Sequence, residues 1–219
     1  MMGPSCLRIL DELLTHATLP PNARVLDLGC GMGLSSMALA KGYGCTVTAA
    51  DLWISAEDNS RRFAEAGLNE CITAVHCNAF ALPFEPEQFD AVVSIDAWHY
   101  FAAQSGFLTT HLLPVLKPGG MLIVAVPGLR QALNRIPDDL RPYWVDGMNF
   151  CTLQWWREQW LQCTGLTTRE AFDMRCNKQA WNEWLESDNE YAQKDVIMME
   201  MENGRYFAMH GLIGEKRDW

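Results

Sequence analysis

The sequence predicts an α/β fold built on a doubly wound sheet whose strands run mostly parallel. Strand and helix patterns alternate through the first 128 residues. The strand patterns are almost continuously apolar, as in residues 91–93, which is typical of parallel strands that helices cover on both faces. A glycine-rich turn joins the first strand to the following helix. These observations favour one domain with a single central sheet.

Apolar spacing and helix-ending residues define the elements up to residue 126. Leu7, Leu10 and Leu14 share one face of a first helix, which ends before Pro20. Ser55–Asp58 is a serine followed three residues later by an acid, which starts a helix in the manner of a capping box. The predicted elements are, in order, the first helix, strand 24–28, helix 33–41, strand 45–50, helix 55–67, strand 71–77, strand 89–95, helix 102–116, a turn at 117–120 and strand 121–126.

The composition changes beyond residue 128, where seven of the nine tryptophans follow residue 140. Leu153, Trp156, Trp160 and Cys163 lie on one face of a predicted helix. The later patterns predict strand 165–174, a short helix at 181–187, helical packing at 198–201 and a last strand at 206–213. The tryptophans indicate an aromatic lid for a hydrophobic or cationic substrate, a second small core or a dimer surface.

Composition and charge exclude several classes of protein. The 219 residues carry a net charge of −10 and no cluster of basic residues, which argues against nucleic-acid binding. No apolar run approaches the roughly 20 residues of a membrane-spanning helix. The eight cysteines form no C-x-x-C pair, so we predict reduced thiols in a cytoplasmic protein rather than a disulfide or zinc framework.

The segment Asp27–Gly33 carries the main functional signal, because an apolar strand ends there in an acid and three glycines at alternate positions. Glycine allows a sharp turn and a close approach of bare backbone to a ligand. The G-x-G-x-G spacing differs from the dinucleotide pattern G-x-G-x-x-G. Asp51 ends the second strand about 20 residues later, where a carboxylate accepts ribose hydroxyls. A ligand-free turn and a solvated acid are the alternatives.

Five ordered motifs together resemble the class I S-adenosylmethionine-dependent methyltransferases, and most closely the small-molecule group called type 11 or UbiE-like. The motifs are Asp27–Gly33, Asp51, Asn78–Phe84, Phe89–Ser94 and Leu116–Gly120. The resemblance is strong from 22 to 128 and weaker beyond. It implies a Rossmann-like sheet of seven strands with the last one antiparallel. It also implies a cofactor-binding core at 1–128, a helical, tryptophan-rich cap at 129–164, and closing strands and helices of the same domain at 165–219.

The resemblance further implies which residues bind S-adenosylmethionine. The glycine loop would line the methionine end of the cofactor, Asp51 would hold the ribose, and Leu52 and Ala79 would lie along the adenine. Ser94 begins the segment that passes under the sulfonium. The cofactor-binding residues expected on this basis are Asp27, Gly29, Cys30, Gly31, Gly33, Asp51, Leu52, Asn78, Ala79 and Ser94.

Asp96 and His99 are the candidate catalytic residues, because they follow the fourth strand. Ligands of such sheets lie at the carboxyl ends of the parallel strands. The pKa of a histidine lies in a useful range for a general base, although a packed structural His99 is the alternative. Asp96 would orient a substrate amine or cap the next helix, and Tyr100 would form a wall. The other four histidines show no ligand spacing, so we predict no metal site.

The sequence therefore predicts a methyltransferase that moves a methyl group to a small-molecule acceptor. A non-catalytic protein that binds S-adenosylmethionine is one alternative, since its cofactor residues would look identical. A nicotinamide-dependent oxidoreductase is another, although neither its glycine pattern nor a catalytic tyrosine–lysine pair is evident. We expect no nucleic-acid or membrane partner, and a homodimer is possible.

Overall fold

The computed structural model describes residues 2–144 and 147–218, and seven strands in these ranges form one sheet. The strands are β1 (Arg24–Leu28), β2 (Thr46–Asp51), β3 (Ile72–His76), β4 (Phe89–Ile95), β5 (Leu116–Leu129), β6 (Leu166–Asp173) and β7 (Phe207–Lys216). Their spatial order is β3-β2-β1-β4-β5-β7-β6. The first five pair in parallel, and β7 is antiparallel to both β5 and β6. The predicted Rossmann-like sheet with an antiparallel last strand is confirmed.

Six α-helices in the described ranges cover the two faces of this sheet. They are α1 (Cys6–His16), α2 (Leu34–Tyr43), α3 (Ala56–Glu65), α4 (Leu153–Gln162), α5 (Asn177–Leu185) and α6 (Glu190–Glu202). One core contains buried side chains of α1, α2, α3 and α5, and a second core on the other face contains α4 and the segment 98–115. None of these helices is long and apolar enough to cross a membrane.

The predicted helix at 102–116 is wrong. The chain instead forms a 3₁₀ turn at Trp98–Tyr100, one π-helical turn at Leu108–Leu112 and a second 3₁₀ turn at Leu113–Val115. Pro114 has no N–H group to continue a regular helix. The buried rings of Trp98 and Phe107 meet edge to face at 5.8 Å, so packing against the sheet holds this segment. The predicted turn at 117–120 is also part of β5, which begins at Leu116.

The range 129–164, predicted as a cap, divides into two parts. Trp156 and Trp160 of α4 are fully buried in the core against the sheet. The described residues of the segment 130–150 lie outside the sheet, and Leu140 belongs to a small third core with Leu129 and Phe207. Residues 145 and 146 of this segment, and Trp219 among the tryptophans, lie outside the described residues.

Candidate active site

A cavity of about 270 Å³ opens at the carboxyl ends of β1, β2 and β4. Its described wall residues lie between 2 and 101, so the segment 129–164 contributes none of them. Eight of the predicted site residues line it: Gly29, Cys30, Gly31, Asp51, Leu52, Asn78, Ala79 and Asp96. Four others, Asp27, Gly33, Ser94 and His99, are not among the wall residues.

The glycine loop after β1 turns because its glycines adopt left-handed backbone angles. Gly29 has φ +77°, and a Cβ added there would overlap the Cβ of Ala97. Gly33 has φ +80°, and a Cβ there would overlap the ring of Phe63. Both glycines therefore allow close packing within the protein. Only Gly29 of these two also lines the cavity, which corrects the expectation that Gly33 faces a ligand.

Asp27 lies behind the loop, where it is 1% exposed. Its Oδ2 accepts hydrogen bonds from the hydroxyls of Ser35 and Ser36, both at 2.6 Å. Its Oδ1 is buried and has no hydrogen-bond partner among the described residues. Burial raises the pKa of Asp27 to about 6, against the opposing effect of the two serines. Asp27 is thus a buried carboxyl beneath the loop with one acceptor still free.

Asp51, at the end of β2, connects the glycine loop to the cavity. Its Oδ2 accepts a hydrogen bond from the N–H of Gly31 at 2.8 Å. Its Oδ1 accepts from the N–H groups of Trp53 at 2.7 Å and Ile54 at 2.9 Å. A carboxylate offers roughly four acceptor directions, so about one remains for a ligand hydroxyl. The side chain is 8% exposed and lines the cavity, as a ribose-binding carboxylate requires.

Asn78 and Ala79 follow β3 on the next part of the wall. The Asn78 Oδ1 accepts a hydrogen bond from the N–H of Phe80 at 2.9 Å. The amide nitrogen of Asn78 and the second lone pair of its Oδ1 therefore remain for a ligand. Ser94, by contrast, donates its hydroxyl to the carbonyl of Leu28 at 2.8 Å and is fully buried. Ser94 joins β4 to β1 and acts on the site only through the sheet.

Asp96 is the acidic side chain on the wall beside β4. Its backbone has φ +56°, a left-handed conformation that few residues other than glycine adopt and that often marks functional sites. Its carboxyl group has no hydrogen bond to the described residues. Burial, with a smaller effect from the charge of Asp195, raises the pKa of Asp96 to about 7. This carboxyl therefore changes charge near neutral pH.

His99 lies behind the wall rather than on it. The ring is 3% exposed and stacks on Tyr100 at a centroid distance of 3.9 Å, with Phe150 at 5.5 Å on the edge. Its carbonyl accepts a hydrogen bond from the Asn149 side chain at 3.0 Å. Burial lowers the pKa of His99 to about 4, so the ring is neutral at pH 7. The predicted base is thus a packed ring that supports Tyr100.

Sequence reasoning missed two parts of the wall. Met2, Gly3 and Pro4 lie across the cavity, and a Cβ added to Gly3 would overlap the Asp96 carboxylate. Trp53 also lines the cavity and meets Tyr100 edge to face at 4.8 Å. The position of Trp53, two residues after Asp51, was the available signal. Nothing in the sequence shows that the amino-terminal residues fold over the fourth strand.

The site fits the cofactor that the resemblance implies. Asp51 has an acceptor direction left for ribose, Asp27 keeps a free buried oxygen beneath the loop, and the bare backbone of Gly29 and Gly31 lines the cavity. Within residues 2–144 and 147–218, no group of three or more His, Cys, Asp or Glu side chains is arranged to hold a metal ion.

Comparison with known proteins agrees with this geometry. Residues 26–124 match the family model described as a methyltransferase domain. The 2-methyl-6-phytyl-1,4-hydroquinone methyltransferase of Synechocystis is 40% identical over 108 residues, which are 49% of this chain and 33% of that protein. The glycine/sarcosine/dimethylglycine N-methyltransferase of Actinopolyspora halophila is 30% identical over 121 residues, 55% of this chain and 21% of that one. The chain thus spans a third or less of these two relatives.

Solved structures share the whole fold. Phosphoethanolamine N-methyltransferase 2 of Haemonchus contortus, in complex with S-adenosyl-L-methionine, has a TM-score of 0.78 at 21% identity, covering 100% of this chain and 54% of that one. Geranyl diphosphate C-methyltransferase of Streptomyces coelicolor, in complex with S-adenosyl-L-homocysteine, has a TM-score of 0.76 at 16% identity, covering 95% and 77%. The fold and the motifs agree with the match of residues 26–124 to the methyltransferase domain, and together they support a class I S-adenosylmethionine-dependent methyltransferase of the UbiE-like group.

Proposed function

We propose that this protein transfers a methyl group from S-adenosylmethionine to a small molecule that lies beside Asp96. The observation that carries the proposal is a single cavity on which the glycine loop, Asp51 and Asp96 meet. The glycine loop follows β1, Asp51 ends β2, and Asp96 follows β4. The cofactor and the acceptor would therefore share the carboxyl edge of the sheet.

The wall residues have distinct roles in this proposal. Asp51 accepts one ribose hydroxyl, and its three backbone hydrogen bonds keep its carboxylate in place. The side-chain amide of Asn78 faces the adenine edge, where its nitrogen donates or its Oδ1 accepts through the second lone pair, and Leu52 and Ala79 pack along the adenine. Asp27 supports the glycine loop from behind, where its Oδ1 is free to accept a hydrogen bond. Gly33 and Ser94 shape the loop and the sheet without touching the ligand.

The bound cofactor supplies an activated methyl group on a sulfonium. The protein must place the acceptor behind that carbon and exclude water, and such alignment supplies several kcal/mol of rate acceleration. An acceptor that carries a proton also needs a base. Asp96 suits this role better than His99, because it lines the cavity and its pKa of about 7 is close to the working pH.

The acceptor class is a small molecule. The cavity of about 270 Å³ is slightly below the roughly 300–1,000 Å³ of small-molecule sites, and in this proposal it holds the cofactor together with the reacting part of the acceptor. The names of the relatives cover two acceptor chemistries, a hydroquinone and the amino group of glycine and its methylated derivatives. Both are small molecules.

Calorimetry with S-adenosylhomocysteine and NADH, followed by an assay of S-adenosylhomocysteine release, tests the proposal. We expect S-adenosylhomocysteine to bind with a micromolar Kd and NADH not to bind. Tight binding of NADH alone would indicate the oxidoreductase alternative. Binding of S-adenosylmethionine without methyl transfer to any of a broad panel of amines, phenols, thiols and carboxylates would instead support a non-catalytic binding protein.

The cellular setting is also part of the proposal. All eight cysteines are free thiols, which supports a reducing compartment such as the cytoplasm. The net charge of −10 argues against a nucleic-acid acceptor. A homodimer stays a prediction, which light scattering of the purified protein would decide.

A further inference from the structure

We propose that the acceptor is an amine, and that the Asp96 carboxylate binds its cationic form against the aromatic side chains of Trp53, Tyr100 and Phe101. This inference rests on the proposed function and adds the chemical class of the acceptor.

The Asp96 carboxylate is the first observation. It faces the cavity, and none of the described residues donates a hydrogen bond to it. A carboxylate withdrawn from water without a partner is costly, and a cation that arrives in the cavity removes that cost. The Asp96 carboxylate therefore makes no hydrogen bond with the described residues that would stabilise the fold.

The charge balance of the wall is the second observation. The described wall residues include two acids, Asp51 and Asp96, and no lysine, arginine or histidine. Asp51 already accepts three backbone N–H groups, whereas Asp96 accepts none from the described residues. An anionic acceptor would find no positive side chain among the described wall residues, and a neutral phenol would leave the Asp96 charge unpaired. A cationic acceptor matches the wall.

The aromatic side chains are the third observation. Trp53 and Tyr100 line the cavity yet are 63% and 51% exposed, which is unusual for such large rings. Their edge-to-face contact at 4.8 Å and the neighbouring Phe101 place three rings on the same cavity as the carboxylate. The charge of Asp96 also contributes to the raised pKa of Tyr100, after burial. Aromatic rings and a carboxylate on the wall of one cavity suit an alkylammonium group.

The reaction balances with these groups alone. The ammonium transfers one proton to the Asp96 carboxylate, which leaves a neutral amine with a free lone pair. The nitrogen lone pair forms the new N–C bond as the methyl–sulfur bond breaks, and the electron pair of that bond stays on sulfur. The product is an ammonium with one more methyl group, and Asp96 later loses its proton to water.

Choline and 3,3-dimethyl-1-butanol form a matched pair of probes, because they have the same shape and differ in charge. Each is titrated by calorimetry into the protein saturated with S-adenosylhomocysteine at pH 8. We expect choline to bind at least about tenfold more tightly than the neutral alcohol, as an ion pair with cation–π contacts would give. Equal affinities would overturn the inference. Failure of S-adenosylhomocysteine itself to bind would instead refute the proposed function.

Asp96→Asn tests the carboxylate, with Asp138→Asn as the control for the same change in net charge at an exposed site. We expect the preference for choline to fall to about threefold or less in Asp96→Asn, the expected consequence of removing an ion pair, and to persist in Asp138→Asn. An unchanged preference in Asp96→Asn overturns the inference. A tenfold loss of S-adenosylhomocysteine affinity in Asp96→Asn also overturns it, because the carboxylate would then serve the cofactor.

A turnover assay completes the test. Dimethylaminoethanol and hydroquinone are offered with S-adenosylmethionine, and S-adenosylhomocysteine release is measured. Release with the amine and none with hydroquinone supports the inference, and release with hydroquinone alone overturns it.

Discussion

The carboxylates of Glu202 and Asp96 lie in different parts of the chain and differ in their hydrogen-bond partners. Glu202, at the end of α6, is 1% exposed and accepts N–H groups from Gly204 at 2.6 Å, Tyr206 at 2.5 Å and Phe207 at 2.7 Å. Asp96, after β4, accepts no hydrogen bond from the described residues and faces a cavity. The backbone supplies three N–H donors to Glu202, which is the structural acid of the pair. The acid without partners, Asp96, lies on the cavity to which we assign the proposed reaction.

Glu202→Ala should have the largest effect, on stability alone. The change leaves three backbone N–H groups without their acceptor, so we expect the free energy of unfolding to fall by about 3 kcal/mol. Urea denaturation measures this loss, and Glu202→Gln, which keeps one acceptor oxygen, should lose about half as much. The affinity for S-adenosylhomocysteine should stay within about twofold, because Glu202 is not on the cavity wall. A loss under 1 kcal/mol would remove the contrast with Asp96.

Asp51→Asn should weaken S-adenosylhomocysteine binding by about 30-fold, or roughly 2 kcal/mol. An amide has one acceptor oxygen in place of two, so it cannot hold the loop at Gly31 and also bind a ribose hydroxyl. Calorimetry measures the Kd, and Asp58→Asn on the exposed start of α3 is the matched control. If the two variants bind S-adenosylhomocysteine equally well, Asp51 belongs with Glu202 as a structural acid.

Asp96→Asn should stabilise the protein at pH 8, by about 1–2 kcal/mol. The folded pKa is raised from 3.8 to about 7, so folding favours the protonated acid. That benefit is complete below the ordinary pKa and is lost as the pH rises through 7. Asparagine carries no charge and tolerates φ +56°.

Thermal unfolding at pH 8 and at pH 4 measures this gain. We expect a higher Tm for Asp96→Asn than for the unmodified protein at pH 8, and nearly equal values at pH 4. A lower Tm at pH 8 would mean that the Asp96 charge stabilises the fold, as Glu202 does.

His99→Phe should have the smallest effect, a change in kcat of less than about threefold with dimethylaminoethanol as acceptor. The ring lies off the cavity wall and its pKa of about 4 makes it a weak base, while phenylalanine keeps the stack on Tyr100. A general base would contribute a factor of about 10² to 10⁴. Steady-state rates of S-adenosylhomocysteine release decide between the two roles.

The strands and the helix caps were predictable because their signals are local. β1 and β4 occupy Arg24–Leu28 and Phe89–Ile95, the bounds expected from their apolar runs. Ser55 accepts the N–H of Asp58 at 3.0 Å, as the capping pattern indicated. The segment 98–115 was not predictable, because the contacts of the Trp98 ring with Phe107 in the same segment and with Trp160 of α4 override its helical spacing.

Part of the site was predictable for a similar reason. The motifs identified eight wall residues, since a strand that ends in a glycine turn or an acid delivers those groups to one edge of a parallel sheet. The motifs did not show which residues line the cavity and which lie behind its wall. Asp96 and His99 are three residues apart, yet a left-handed backbone directs the first to the cavity and burial keeps the second away.

The sequence by itself determined the sheet, the glycine loop and the resemblance to the methyltransferases, because each motif consists of residues that are close along the chain. Only the tertiary structure decided which side chains meet on the part of the cavity where we propose that the acceptor binds. Gly3, Trp53 and Asp96 come from three separate segments, and they meet there only after α1, β2 and β4 have packed. Whether a carboxylate finds N–H partners, as Glu202 does, or stays free, as Asp96 does, depends on that packing and not on its neighbours in the sequence.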